Sequence, residues 1–536
     1  MSNPFFEKSK EIANNFLQSI VFIDDKAYSG ITAEDPNHDF DAQKVSMAFA
    51  KEKKICGVYQ PKSQEDIENF KIIVKKADVI ILDWKIILTD NIVEDPNADA
   101  EAEDPRGLYT IEILKDIIQE SSSNKESLKL IIIYTGETDL NEITDRIFDE
   151  LSIIKSDLQK ESCQVSSNSI KILVRAKSSV GDDEVDNKFN HLKDFNDKII
   201  KYKDLPSFVL NEFTSMTSGL LSNFVLDSLT TIRENTFKLI ALYNKDLDDA
   251  FIAHRLFLPN PNDSKDHLID ILSQSIQALL NYNEVGEKSI SKEWIEAWID
   301  LKTIESEIEI SKNKIPINND FVKKWSETNF IKSVIEIYPD IDTNKVAIKL
   351  NDLSKADGSS FIKGSDNKIK DIEFSILTHH KSNLKNQSAI PKLTLGSIIL
   401  KKGDKGDEYF LCIQAKCDSV RVIENTRFLF LPLDPVADGK KFHFIIQDLN
   451  GSYLKLNVLK DTYKLKTIKF NPSAKSDSVI ADKESLNYFF TSTHNEKLFW
   501  ICDLKDLHAQ RIANLYASQL SRVGLDESEW LRRWAN

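Results

Sequence analysis

Five short apolar runs, residues 20–23, 55–59, 79–82, 130–134 and 170–174, constrain what the first third of this chain can become. Each is rich in β-branched residues and almost continuously apolar. Helical patterns fill the gaps between them, over residues 41–53, 63–76, 108–120 and 140–155. Short apolar strands alternating with helices predict a parallel sheet covered on both faces. The expected fold for residues 1–185 is a doubly wound, flavodoxin-like α/β domain with strand order 2-1-3-4-5. Its ligand site then lies beyond the carboxyl ends of the strands.

Those ends carry the chemistry. The first strand stops on Asp24 and Asp25, and the third stops on Asp83. The first and third strands are neighbours in such a sheet, so the three carboxylates share one pocket. Their mutual repulsion pushes at least one pKa upward. A hard divalent cation relieves it, and Mg²⁺ suits a site of one or two carboxylates plus water and phosphate oxygens. The fourth strand ends on Thr135 and the fifth on Arg175-Ala176-Lys177. A carboxylate nucleophile, a cation, a hydroxyl and a lysine are the parts that accept and hold a phosphoryl group. Asp83 is the expected nucleophile; Thr135 and Lys177 are expected on the phosphoryl oxygens, with Arg175 as the alternative cation.

With these residues in this order, residues 19–180 resemble the receiver domain of two-component response regulators. The resemblance implies that Asp25, Asp83 and the main-chain carbonyl of Lys85 ligate Mg²⁺ directly, with Asp24 acting mostly through water. It also implies a histidine kinase as partner. Two departures stand out. Thr135 follows Asp83 by 52 positions, and the excess includes an acidic stretch, residues 89–106, with seven acids and one Arg. That stretch reads as a solvated insertion or as a docking element for a kinase. The span from Thr135 to Lys177 is also long, and Ser178-Ser179 stands where the family often has a proline.

The remainder is less explicit. Residues 186–353 read as a helical domain, with helices over 207–237, 246–257, 268–282, 291–312 and 320–338. Residues 354–506 read as a β-rich domain, a compact antiparallel barrel or sandwich reached through a Gly/Ser/Asp/Lys-rich linker, with a hairpin signal at 401–404. A terminal helix closes the chain over 507–536. Cys417 with Asp418 and Arg421 could form a reactive thiol, but a structural cysteine is the simpler reading. His379-His380 lacks further ligands at metal spacing, and Trp294 with Trp298 reads as one packed helix face.

A net charge of −15 argues against nucleic acid as a partner. No apolar run reaches membrane-spanning length. Five scattered cysteines without C-x-x-C pairs fit reduced thiols, so a cytoplasmic protein is expected. Long receivers joined to helical and β regions loosely resemble the receiver proteins of Detocs-type anti-phage systems. That resemblance implies a regulator lacking a phosphorylase domain, one that draws phosphoryl groups away from a cognate effector. A phosphorylation-switched enzyme and a phosphorylation-independent scaffold are the other readings.

Overall fold

A computed structural model describes residues 3–28, 40–88, 107–123, 127–178, 193–353, 362, 368–381, 390–403, 406–437, 440, 442–459, 461, 464–474, 476–485 and 487–520. The acidic stretch 89–106, Ser179, most of the 354–371 linker and the end of the terminal helix lie outside them. The chain forms two compact units, Met1–Leu301 and Lys302–Asn536. The division falls inside the segment assigned from sequence to one helical domain.

The first unit opens with helix α1 (Pro4–Phe16), capped by Asn3, whose side chain accepts from the Phe5 amide. The sheet strands follow as β1 (Ser19–Ile23), β2 (Ile55–Tyr59), β3 (Val79–Leu82), β4 (Lys129–Thr135), β5 (Gln159–Glu161), β6 (Gln164–Ser166), β7 (Ile170–Ser178) and β8 (Ile199–Lys201). Between them lie α2 (Ala42–Lys51), α3 (Gln64–Val74), α4 (Leu108–Ser123) and α5 (Leu140–Ser152). All five expected strands are present, and the order β2-β1-β3-β4-β7 is parallel throughout. The sheet does not stop at five strands, however. β6 pairs antiparallel with β7 and carries β5 beyond it, while β8 pairs parallel with the tip of β7. This added hairpin accounts for the long span between Thr135 and Lys177.

Two apolar layers hold the sheet. Val21, Ile80, Ile131 and Ile172 face α3, α4 and α5, whereas Ile20, Phe22, Ile81 and Ile132 face α1 and α2. The second layer also takes Leu205, Val209 and Phe213 from α6 (Leu205–Thr217). The first helix of the expected helical segment therefore covers the α/β sheet. The single helix expected over 207–237 is two, because the chain breaks at Ser218-Gly219 before α7 (Leu220–Leu242). The unit ends with α8 (Asp248–Phe257), α9 (Asp263–Tyr282), α10 (Val285–Ser289) and α11 (Lys292–Ile299), whose Trp294 meets Phe5 edge-on.

The second unit starts with a correction. The helix expected over 291–312 ends at Ile299, and a hairpin follows, β9 (Ser306–Ile310) with β10 (Asn313–Ile317). Helices α12 (Asn319–Glu327) and α13 (Phe330–Ile337) replace the one expected over 320–338 and are followed by α14 (Thr343–Leu353) and α15 (Lys368–His379). The rest is built on β11 (Ser397–Lys401), β12 (Glu408–Cys412), the short helix α16 (Lys416–Ser419), β13 (Thr426–Pro435), β14 (Phe444–Gln447), β15 (Tyr453–Val458), β16 (Lys466–Phe470), β17 (Asp482–Glu484), β18 (Asn487–Thr491) and β19 (Lys497–Asp503). These strands form one antiparallel sheet rather than two stacked ones. It forks at β13, whose first half pairs β16 and whose end pairs β15. Both faces are filled, one by Phe410, Phe428, Phe430, Phe470 and Phe490, the other by Leu411, Leu431, Phe444 and Leu456. Helix α17 (Asp506–Leu520) docks on the second face through Ala509, Ile512 and Tyr516.

Candidate functional site

The parallel register brings the carboxyl ends of the strands level. Ile23 lies opposite Leu82, and Leu82 lies opposite Ile133. Asp24 and Asp83 therefore leave the sheet side by side, with Thr135 and Lys177 at the same end. One ligand oxygen from each of Asp24, Asp25 and Asp83 lies within 4.8 Å of the others. Asp24 and Asp83 are buried, and Asp25 is half-buried.

Lys177 closes the cluster. Its Nζ lies 2.5 Å from Oδ2 of Asp24 and 3.1 Å from Oδ1 of Asp83, and 5.2 Å from the centre of the Phe40 ring. Burial alone would lower the Lys177 pKa, but Asp83 and Asp24 outweigh it and hold the ammonium charged. Arg175, the alternative cation, is aimed elsewhere: it donates to the carbonyls of Cys163 and Val174 and stacks on Phe208. Thr135 is buried at the end of β4, and its hydroxyl oxygen accepts from the Glu137 amide at 3.1 Å.

Each acid is fixed by the local backbone. Oδ1 of Asp24 accepts from the Lys26 amide, Oδ1 of Asp83 from Trp84, and Oδ2 of Asp25 from Ile87. Burial, opposed by Lys177 and reinforced by Asp24 and Asp25, raises Asp83 to about 7. Burial and the neighbouring Asp24 raise Asp25 to about 6. Asp25 Oδ1 is buried without a hydrogen-bond partner among the described residues. Three carboxylates against one ammonium, with a buried oxygen left unmatched, fit a divalent cation. Lys85 follows in the same loop with its side chain exposed.

The loop after β3 depends on Gly107, which opens α4 as expected from sequence, and on Thr110 and Gln60, which no motif marked. Thr110 donates to the main-chain carbonyls of Asp83 and Trp84, at 2.7 and 3.2 Å. Gly107 has φ +83°, and a Cβ there would lie 2.2 Å from the Trp84 ring. Gln60 donates to the carbonyl of Asp25. A glycine and a first-turn threonine opening α4 were the only signals, and neither is specific.

The sites weighed in the second unit do not assemble. Cys417 is exposed, and its thiol meets its own neighbour Asp418. His379 contacts the Ser375 carbonyl and His380 that of Ile445.

An acid cluster closed by a lysine thus lies at the carboxyl end of a doubly wound sheet, an arrangement consistent with a receiver fold. Residues 16–182 match the family model described as Response receiver domain. That match supports a response-regulator receiver in this part of the chain and ends before α6 begins. No curated protein and no solved structure gives a significant match. Among the described residues, no helix is long and apolar enough to cross a membrane.

Proposed function

We propose that Asp83 accepts a phosphoryl group from a partner histidine kinase. The observation that carries this reading is the cluster of Asp24, Asp25 and Asp83 closed by Lys177 on two of its members. Oδ1 of Asp83 already receives the Trp84 amide and the Lys177 ammonium, so Oδ2 is the oxygen offered for attack. A new P–O bond forms there as the P–N bond of the kinase phosphohistidine breaks, and the imidazole leaves with the electron pair. Lys177 carries its charge onto the phosphoryl oxygens, and the Thr135 hydroxyl donates to another. Asp25, Asp83 and the Lys85 carbonyl would hold Mg²⁺, with Asp24 in support. When bound, the cation neutralises charge on the transferring group.

Over the whole chain, the proposed role is that of a phosphate sink or regulator in an anti-phage signalling system. Its support is the sequence resemblance together with the lack of a phosphorylase motif.

The test uses full-length chain, a cognate histidine kinase, ATP and Mg²⁺. Hydroxylamine-sensitive label is expected on the wild type and not on Asp83→Asn. Label that persists on Asp83→Asn refutes the acceptor assignment. For the sink role, excess chain should drain label from the phosphorylated kinase and its effector; an undrained effector refutes it.

A further inference from the structure

Lys177 has two tasks. In the structure its ammonium pairs with Asp24 and Asp83, and in the proposed reaction it moves onto the phosphoryl oxygens. Its stem is long and flexible and its charge has no preferred direction, so a group other than those carboxylates has to keep it aimed. Two aromatic side chains stand in that place.

Alternate residues of β7 share a face, here Lys171, Leu173, Arg175 and Lys177. Helix α6 covers the first three. Lys171 Nζ lies 2.6 Å from Oε2 of Glu212, Leu173 shares a buried layer with Leu205 and Val209, and Arg175 stacks on Phe208. At the tip, Lys177 meets the Phe40 ring instead, with 5.2 Å from Nζ to the ring centre. A ring face attracts a cation at this range, most strongly away from water, and both side chains are buried. The attraction uses no hydrogen bond, so the ammonium protons stay available for carboxylate or phosphoryl oxygens.

The ring is itself held in place. Asp41 caps α2 by accepting from the Lys44 amide, so Phe40 stands one residue ahead of the cap, where an apolar side chain packs back onto the helix. Phe40 meets Phe22 at 4.8 Å and Tyr202 edge-on at 6.0 Å. Tyr202 also meets Tyr134, the residue before Thr135, and Tyr134 donates its hydroxyl to the Ile200 carbonyl at 2.6 Å. Ile200 is the β8 residue paired with Lys177. Residues 199–202 therefore grip both strand tips that carry the phosphoryl-binding side chains. They lie beyond residues 16–182, the segment that matches the receiver family.

We propose that Phe40 and Tyr202 are positioning residues for phosphoryl transfer. The Phe40 face holds the Lys177 ammonium beside Asp83, and Tyr202, from the chain after the matched segment, holds Phe40. This inference rests on the phosphoacceptor reading.

Full-length chain with Mg²⁺ and acetyl phosphate tests it. Replacing Phe40 by mono-, di- and trifluorophenylalanine drains charge from the ring face and leaves its shape nearly unchanged. Each fluorine should slow labelling of Asp83 by about twofold, and Phe40→Leu by about tenfold. Tyr202→Leu should also slow it by about tenfold, whereas Tyr202→Phe, which keeps the ring, should stay within about twofold of the wild type. A second measurement needs neither metal nor donor. In urea, each fluorine should raise the unfolding constant of the metal-free chain about twofold and leave that of Lys177→Met unmoved. A labelled wild type whose rate ignores the fluorine series, or Tyr202→Leu at the wild-type rate, overturns this proposal and leaves the phosphoacceptor reading standing. So does fluorination that destabilises Lys177→Met as much as its parent. A wild type that takes no label on Asp83 overturns both.

Discussion

Lys177 and Asp24 form a fully buried ion pair, Nζ to Oδ2 at 2.5 Å, although 153 residues separate them in sequence. The pair ties β7 to the end of β1 across the top of the sheet. Removing one member of such a pair leaves the other charge buried and unmatched.

Lys177→Met should therefore lower the unfolding free energy of metal-free protein by about 3–5 kcal/mol in urea titrations. Added Mg²⁺ should recover part of that loss while phosphorylation stays abolished. A variant as stable as the wild type would show that the pair contributes little.

Asp25 supplies the buried oxygen without a partner. Mg²⁺ at millimolar concentration should raise the melting temperature of the wild type, since a ligand that binds only the folded state stabilises it. Asp25→Asn should bind Mg²⁺ at least tenfold more weakly, read as a smaller thermal shift or by calorimetry. Equal shifts in the two proteins would remove Asp25 from the ligand set.

The backbone after β3 is held from α4. Gly107→Ala forces a Cβ into the Trp84 ring at a left-handed φ, and Thr110→Val leaves the Asp83 carbonyl without its donor. Each should cost roughly 1–3 kcal/mol and slow phosphorylation of Asp83 by a small-molecule phosphodonor. Retained stability with unchanged kinetics would show the loop to be held by other contacts.

In the second unit, burial together with His379, Arg511 and His443 lowers His508 to about 4. Arg511 can only donate, so Nδ1 of His508 accepts and the proton sits on Nε2, which is buried without a partner among the described residues. In the unfolded chain this imidazole titrates near its ordinary value of 6.5. As pH falls from 6.5 toward 4 the unfolded state takes up the proton first, so stability declines across that window. His508→Phe should flatten this part of the stability–pH curve measured by urea unfolding, and an unchanged slope would assign it to other groups.

The strands of the first unit were legible because a doubly covered parallel strand is apolar at every position, as in Ile20 to Ile23. The acids were legible because Asp24 and Asp83 directly follow those runs, and the lysine because it lies three residues past the last one, within the end of β7. Asp24 also pairs closely with Lys177, a relation no local pattern encodes. The β5–β6 hairpin left little signal, since its strands are three residues long and mostly polar. The β9–β10 hairpin did leave one: Ile308, Ile310, Ile315 and Ile317 alternate and are buried. It was obscured because its turn places Ser311 and Lys312 at positive φ where glycine or asparagine is the usual cue. The break between α6 and α7 did leave a signal, since Thr217-Ser218-Gly219 are poor helix formers between two apolar helical stretches, whereas the filled β13 fork depends on pairings distant in sequence.

The small hairpin at the end of the sheet has a consequence for life in a crowded solution. Without it, the nine-residue strand β7 would be an open row of amide and carbonyl groups, a template for strands of other chains. Instead β6 and β8 occupy that row, and the new margins are two three-residue strands, β8 and the exposed β5 with its Lys160 and Glu161. Margins so short give an incoming strand little to pair with. That side of the sheet is protected against runaway growth into aggregates.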